Sequence, residues 1–197
     1  IWLILTGRGW GKTRTGSEWL VDQMTANPVD TAGHPTEWAA VAETLIDGLD
    51  TLVLGPSGII NVLNRRGIRH KLVKHPQPRI RLSTGQVIHV LGADDADVGR
   101  GLNLAGAWFD ELAKWRYPTA SWSEGLGPAL RTKMPGGVKP QVVVTTTPKP
   151  ISILFDWTNR ADRSIVVTRG STFDNAANLS ASAVNEFIRQ YGGSRIG

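Results

Sequence analysis

The chain has 197 residues, with a hydrophobic content of 41% and a charged content of 20%, which suits a globular domain with its own core. It holds no apolar run of about 18 residues, so we expect no membrane span, and its short apolar start lacks the basic region of a signal peptide. The absence of cysteine excludes disulfides and thiolate metal sites, and it fits a reducing compartment.

The net charge of +5 is unevenly distributed along the chain. The interval Thr51 to Ala93 contains no acidic residue, and a second acid-free interval runs from Gly125 to Phe155. Their basic residues are Arg65, Arg66, Arg69, Lys71, Lys74, Arg79 and Arg81 in the first, and Arg131, Lys133, Lys139 and Lys149 in the second. Any one of these could simply face solvent, but two acid-free basic tracts together favour a polyanionic partner.

Strand and helix signals alternate in the first half of the chain, which predicts an α/β sheet. Residues 1–5 form a short apolar run, typical of a strand buried on both faces. A helix is expected from Lys12 to about Met24, and a second apolar run follows at residues 37–43. Residues 46–63 have a helical pattern that is interrupted at GPSG, and residues 79–91 predict a β-hairpin around Ser83-Thr84-Gly85.

The second half continues the same alternation. Residues 104–109 form another buried strand, and residues 121–131 predict a helix weakened by two glycines and a proline. Two strands rich in β-branched residues follow at 141–148 and 164–168. A short tail helix is predicted from apolar residues at i, i+3, i+4 and i+7, namely Val184, Phe187, Ile188 and Tyr191.

A glycine-rich loop, within ILTGRGWGKTRTG at residues 4–16, separates the first strand from the first helix. The P-loop pattern G-x-x-x-x-G-K-[ST] is met except at its first position, where this chain has Thr6. In such loops the backbone N–H groups and the helix N-terminus bind phosphates, the lysine reaches the β- and γ-phosphates, and the Ser or Thr hydroxyl binds Mg²⁺. The candidate nucleotide-binding residues are Thr6, Gly7, Arg8, Gly9, Trp10, Gly11, Lys12 and Thr13.

The loop also carries an unusual charge, Arg8. This guanidinium would either bring a second positive charge to the phosphates or face solvent, and the residues alone leave both readings open. A glycine-rich turn with a merely exposed Lys12 is the alternative for the whole loop, and the strand-before, helix-after context argues against it.

Two adjacent carboxylates, Asp110 and Glu111, follow the buried run LAGAWF. We expect this strand to lie next to the P-loop strand, so that Asp110 binds Mg²⁺, through water, and Glu111 accepts a proton from the attacking water or orients it. Neighbouring side chains of a strand point in opposite directions, but at a strand end the chain turns and both can reach the site.

Three hydroxyls, Thr145, Thr146 and Thr147, end the run QVVVTTTP. They could be no more than β-formers. Alternatively, polar side chains at the carboxyl end of a strand face the ligand crevice of an α/β sheet, where they could sense the γ-phosphate.

Taken together, these motifs resemble one family. The chain looks like the ATPase domain of a tailed-phage terminase large subunit, the motor that packages DNA into procapsids, and it resembles the packaging proteins of gene transfer agents. The stretches that carry the resemblance are LTGRGWGKTRTGSEWL, VAETLIDGLDTLVLGPSG, GRGLNLAGAWFDELAKW, VVVTTTPKP and VTRGSTFDNAANLS, which together cover nearly the whole chain.

The resemblance implies an α/β fold of the additional-strand, catalytic-glutamate P-loop type, RecA-like, with a mainly parallel sheet and helices on both faces. It implies that Lys12 and Thr13 bind nucleotide and Mg²⁺, that Asp110 holds the metal and that Glu111 is catalytic. It assigns Thr145 to Thr147 to a coupling motif. Arg8 matches an arginine that terminases often carry in the loop, and Arg100 resembles one thought to act on a neighbour's ATP.

The family also implies the cofactors and partners. These are ATP and Mg²⁺, double-stranded DNA, the portal and procapsid, and the small terminase subunit. A homo-oligomeric ring is expected on assembly, a monomer in isolation, no membrane partner, and a location in the host cytoplasm.

The chain departs from the family at several points. Thr6 stands where many relatives have glycine, and the segment that usually contacts adenine would precede the first strand. We therefore interpret the chain as a fragment, with an ATPase domain at 1–170 and a helix and connector at 171–197. The connector would lead to a nuclease domain that lies outside this chain, so we expect no nuclease activity here.

Three rival functions need weighing. A RecA-like helicase or other nucleic-acid translocase would use the same loop, carboxylates and basic tracts. A non-catalytic packaging scaffold with a degenerate P-loop is disfavoured by the retained lysine and carboxylates. A metal nuclease built on Asp94, Asp95 and Asp97 is disfavoured because such acidic loops are more often solvated, and the four histidines lack ligand-like spacing.

Overall fold

The computed structural model describes residues 1–160, 162, 164–180, 182, 185 and 189, and these contain an eight-stranded sheet. The strands are β1 (Trp2–Thr6), β2 (Glu37–Ala42), β3 (His70–Val73), β4 (Arg79–Leu82), β5 (Val87–Gly92), β6 (Gly106–Asp110), β7 (Gln141–Thr146) and β8 (Val166–Gly170). Their order across the sheet is β3-β4-β5-β2-β6-β7-β1-β8. The predicted α/β class with a mainly parallel sheet is therefore confirmed.

The parallel part of the sheet runs from β5 to β8 through β2, β6, β7 and β1. One expectation about it is wrong, because β6 does not lie next to β1. Strand β7 is inserted between them and pairs with both in parallel, which is the additional strand that the family resemblance implied. Local sequence indicates that a strand is buried, but it does not indicate which strand it pairs with.

The helical segments connect these strands. They are α1 (Lys12–Ala26), α2 (Leu45–Asp47), which continues as a π-helix (Gly48–Val53), α3 (Ile59–Arg65), α4 (Pro118–Ala120), a π-helix (Ser121–Leu126), α5 (Gly127–Ala129) and α6 (Ser152–Thr158). Short 3-10 helices occupy Leu112–Lys114, Pro135–Gly137 and Thr172–Asn178. No helix in the described part of the chain is long and apolar enough to cross a membrane.

Alternate side chains of the central strands feed two hydrophobic cores, one on each face of the sheet. Ile4 and Trp108 pack on one face with Leu20 of α1, whereas Leu3 and Phe109 pack on the other with Leu154 of α6. Strands covered on both faces are continuously apolar, as the predicted buried runs were. Burial of both faces fixes the sheet on which the site residues stand.

The hairpin predicted for residues 79–91 is confirmed, because β4 and β5 pair in an antiparallel register. The sequence pattern missed β3, a four-residue edge strand that pairs with β4. The predicted helix at 121–131 is present as the π-helix with its two flanking turns, and it ends at Ala129. The four apolar residues of the predicted tail helix lie outside the described residues.

Candidate active site

The glycine-rich loop turns the chain from β1 into α1. Gly9 (φ 75°) and Gly11 (φ 105°) adopt left-handed conformations that residues with a Cβ rarely adopt, and Gly11 caps α1. The loop is held against α1 by the Thr15 amide, which donates to the Gly11 carbonyl over 2.9 Å. The local sequence thus places the N-terminus of a fifteen-residue helix behind the loop, where its dipole favours an anion.

Lys12 lies at the centre of the site, and its side chain is 8% exposed. Its Nζ donates to the carbonyls of Thr6 over 3.2 Å and Gly7 over 2.9 Å, and lies 3.5 Å from Glu111 Oε1. Burial lowers the pKa of Lys12, while the carboxylates of Glu111 and Asp110 oppose that shift. An ammonium held in this way on the loop can contact phosphate oxygens in the adjoining cleft.

Glu111 reaches the same point by an unusual backbone turn. It has φ 48°, and no other non-glycine residue in the described part of the chain has a positive φ. The turn takes Glu111 out of the strand direction while Asp110 keeps its place at the end of β6, so both carboxylates face the cleft. A strained conformation of this kind costs about 1 kcal/mol or more, which is typical of functional sites.

Asp110 is buried and belongs to a short chain of hydrogen bonds. The Thr145 hydroxyl donates to Asp110 Oδ1 over 2.7 Å and accepts a hydrogen bond from the Trp108 indole over 2.8 Å. Burial raises the pKa of Asp110 to about 6, partly offset by the Thr145 hydrogen bond and raised further by Glu111. A carboxylate in such a place becomes fully ionised when a cation lies beside it.

The other two threonines connect β7 to the chain that follows Glu111. Thr146 Oγ1 accepts a hydrogen bond from the Ala113 amide over 3.0 Å, and Thr147 Oγ1 lies 3.3 Å from Glu111 Oε2. The three threonines therefore contact both carboxylates or the turn between them, which a role as mere β-formers would not require.

Two adjoining clefts meet at these residues. A cleft of about 730 Å³ is lined by the loop from Arg8 to Thr15, Ser57, Glu111, Asn175 and Asn178. A smaller cleft of about 240 Å³ is lined by Thr13, Ala42, Glu43, Asp47, Thr51, Asp110, Glu111 and Lys114. Both clefts include Thr13 and Glu111, so the loop and the two carboxylates face one continuous space.

The site includes residues that the sequence pattern did not single out. Asn175 and Asn178 belong to the 3-10 helix after β8, in a stretch that we had assigned to the connector. Trp10 also has an unforeseen place, because its indole packs directly against Gly170 at the end of β8. The sequence offered one signal for this segment, the stretch STFDN, whose small polar residues were interpreted as a linker.

The two candidate arginine fingers have different positions. Arg8 is exposed and lines the larger cleft. Arg100 is exposed as well, but it lies in another cleft and pairs with Asp97, with Nη1 3.3 Å from Oδ2. Within one copy of the chain, the described residues therefore bring Arg8, and not Arg100, to the loop.

The first basic tract is not free of acids in space. Arg65 and Arg66 at the end of α3 form ion pairs with Glu18 of α1, and Arg66 also pairs with Asp22. The basic side chains that stay exposed on and beside strands β3 and β4 are Arg69, Lys71, Lys74 and Arg81. The polyanion-binding surface expected from this tract is correspondingly smaller than the sequence suggested.

The described residues contain no group of three or more His, Asp or Glu side chains that could hold a metal by themselves. A single buried carboxylate and a threonine hydroxyl beside a phosphate cradle do suit Mg²⁺, which prefers one or two protein oxygens together with phosphates and water. The donor set of Asp110 and Thr13 therefore fits a magnesium–nucleotide complex.

A family model described as the N-terminal part of the terminase large subunit, T4likevirus type, matches residues 3–196. No curated protein matches the chain.

Solved structures of similar fold come from two bacteriophages. The large terminase of a thermophilic bacteriophage, in complex with ADP, has a TM-score of 0.70 and 16% identity, and the match covers 98% of this chain and 45% of that one. The same phage enzyme in complex with ATP-gamma-S gives 0.66, 18%, 97% and 44%. The ATPase domain of the Thermus phage P74-26 large terminase gives 0.67, 12%, 98% and 83%. At these identities the likeness shows the fold, and this chain spans less than half the length of the thermophilic phage enzyme.

Proposed function

Because the chain belongs to the terminase large-subunit family, matching its T4likevirus-type N-terminal part, we propose that it is an ATP-hydrolysing motor domain that drives double-stranded DNA into a viral procapsid. The observation that carries the proposal is the position of Lys12 Nζ, 3.5 Å from Glu111 Oε1 at the junction of the two clefts. This arrangement brings a phosphate-binding cation and a candidate general base to one point.

The proposed roles follow from the positions of the side chains. The loop from Thr6 to Thr13 binds the phosphates, with Lys12 as their main cation. Thr13 and Asp110 hold Mg²⁺, which when bound neutralises charge on the β- and γ-phosphates. The cofactors are therefore ATP and Mg²⁺, in keeping with the ADP and ATP-gamma-S complexes of the thermophilic phage enzyme.

Glu111 is the proposed catalytic carboxylate. Its left-handed turn directs it to the cleft, where it orients a water molecule or accepts its proton. Lys12 beside it favours the ionised carboxylate, which is the form that can act as a base.

Thr145, Thr146 and Thr147 are the proposed coupling residues. Through Thr145 the strand β7 contacts the metal-binding carboxylate, and through Thr147 it contacts Glu111. A change at the γ-phosphate that moves either carboxylate would therefore be transmitted to β7 and to the segments that follow it.

The wider assembly belongs to the same proposal. The partners are double-stranded DNA, the portal and procapsid, the small terminase subunit and further copies of the chain in a ring, all in the host cytoplasm. We place the ATPase domain at 1–170 and a connector at 171–197, with no nuclease activity in this chain. Arg8 acts in its own site, and Arg100 is the candidate for action on a neighbouring one.

One experiment tests this function against the helicase alternative. The ATPase rate is measured alone, with double-stranded DNA, and with DNA and procapsids carrying portal. Stimulation that requires procapsids supports a packaging motor. Stimulation by nucleic acid alone, accompanied by strand separation on a forked duplex, would favour a helicase instead.

A further inference from the structure

The segment that follows β8 binds three consecutive residues of the phosphate loop. The Gly7 amide donates to the Gly170 carbonyl over 3.2 Å. The Thr172 hydroxyl donates to the Arg8 carbonyl over 2.7 Å, and the Asn175 amide donates to the Gly9 carbonyl over 2.6 Å. No connector function requires a segment to follow the loop residue by residue.

The two surfaces also fit each other closely. A Cβ on Gly7 would lie 2.6 Å from Thr172 Oγ1, and a Cβ on Gly170 would overlap the Trp10 indole nitrogen. Each glycine thus makes room for a side chain of the opposite surface. This contact explains why a residue as large as Trp10 can stand within a phosphate loop.

The segment has its own internal support. Ser171 and Asp174 form a reciprocal capping box at its start, and the Asn178 amide donates to Asn175 Oδ1 over 2.8 Å. Thr172 is 7% exposed. The two side chains that grip the loop are therefore held in place before any ligand arrives.

The geometry points to a specific role, and it rests on the proposed nucleotide-binding function: Thr172 and Asn175 are positioning residues that set the phosphate loop for nucleotide. In a trans peptide the carbonyl and the N–H point in opposite directions. Thr172 binds the carbonyl of the peptide between Arg8 and Gly9, and Asn175 binds the carbonyl of the next peptide. Each grip directs the N–H of the same peptide away from the segment, as a phosphate cradle requires.

The role predicts an effect on affinity more than on turnover. Thr172→Val removes one hydrogen bond, and Asn175→Asp replaces a donor with a carboxylate that would repel the Gly9 carbonyl. We expect each to raise the Kd for Mg-ADP and the KM for Mg-ATP by about five- to tenfold, which is the worth of one lost hydrogen bond. The kcat at saturating ATP should stay within about twofold of the parent, because neither side chain is placed at the reacting atoms.

The chain offers matched controls in α6. Thr158 and Asn159 also donate to a backbone carbonyl, that of Phe155, over 3.0 and 2.8 Å. Thr158→Val and Asn159→Asp should leave Kd and KM unchanged. Thr172→Ser retains the hydroxyl and should restore the affinity of the parent.

Calorimetric titration with Mg-ADP, steady-state kinetics and thermal unfolding without nucleotide decide the outcome. A fall in unfolding temperature without a change in Kd would mean that the segment only stabilises the fold, and the inference would be wrong. Equal affinity of parent and both variants would overturn it as well, while leaving the proposed function intact. A parent that binds no nucleotide would overturn the proposed function itself, together with this inference.

Discussion

The pKa of Asp110 leads to a measurable dependence of stability on pH. Burial raises this pKa to about 6 in the folded chain, against an ordinary value of 3.8. The folded chain therefore binds a proton more tightly than the unfolded chain does. The stability that comes from the protonated carboxyl is fully present below pH 3.8 and is lost as the pH rises through 6.

The difference between the two pKa values corresponds to about 3 kcal/mol in total, of which about 2 kcal/mol should be lost between about pH 4.5 and 7.5. Asp110→Asn tests this because the amide has the same shape, can accept the Thr145 hydrogen bond and cannot ionise. The free energy of unfolding of parent and variant is measured by urea titration in EDTA at both pH values. Other titrating groups are common to both proteins and cancel in the difference.

We expect the parent to lose about 2 kcal/mol relative to Asp110→Asn on going from the lower to the higher pH. The variant is then the more stable protein at neutral pH without metal, whereas Mg-ADP should stabilise only the parent. Asp156→Asn, at an exposed carboxyl of α6, controls for the exchange of acid for amide. A difference between parent and Asp110→Asn that is equal at the two pH values, within about 0.5 kcal/mol, would refute the reasoning.

The remaining predictions concern the proposed motor. Glu111→Gln should bind Mg-ATP normally but hydrolyse it at least about a hundredfold more slowly, because an amide cannot accept the proton; turnover within a few-fold of the parent would contradict its role. Lys12→Ala should weaken nucleotide binding itself, and an unchanged Kd by titration would be inconsistent with contact to the phosphates. DNA binding should be independent of sequence and weaken with salt, with a log–log slope of about −0.9 for each phosphate contacted on duplex DNA, so a salt-insensitive affinity would argue against a basic track. Arg100→Ala should hardly affect an isolated chain but should reduce the rate of an assembled ring by about 10³-fold or more, and mixing it with Glu111→Gln should restore part of the activity; no recovery in proven mixed rings would return Arg100 to its pairing with Asp97.

Much of the fold could be predicted because the relevant signals are local. Apolar runs marked the central strands, and the P-loop pattern marked the turn into α1, since its glycines must adopt left-handed conformations there. The hairpin signal at Ser83-Thr84-Gly85 was equally local, and β4 and β5 do pair. Strand β3 was missed because four half-exposed residues on a sheet edge carry little pattern of their own.

The candidate site was predicted in its parts and not in its assembly. The sequence singled out Lys12, Asp110, Glu111 and the threonines of β7, each from its place at the end of a predicted strand. The structure brings them to one edge of the sheet, because the carboxyl ends of parallel strands meet there. Their chemical roles stay predictions until the variants are measured.

What the sequence by itself determined is therefore the local content of this protein: which segments are buried strands, where the phosphate loop turns, and which strand ends carry carboxylates and hydroxyls. Only the tertiary structure decided which of these segments are neighbours. It placed β7 between β1 and β6, paired Arg66 with Glu18, and laid Thr172 and Asn175 on the loop. The physical reason is that periodicity and turn propensity act over a few residues, whereas strand order and side-chain contacts join residues as far apart as the 166 positions between Gly9 and Asn175.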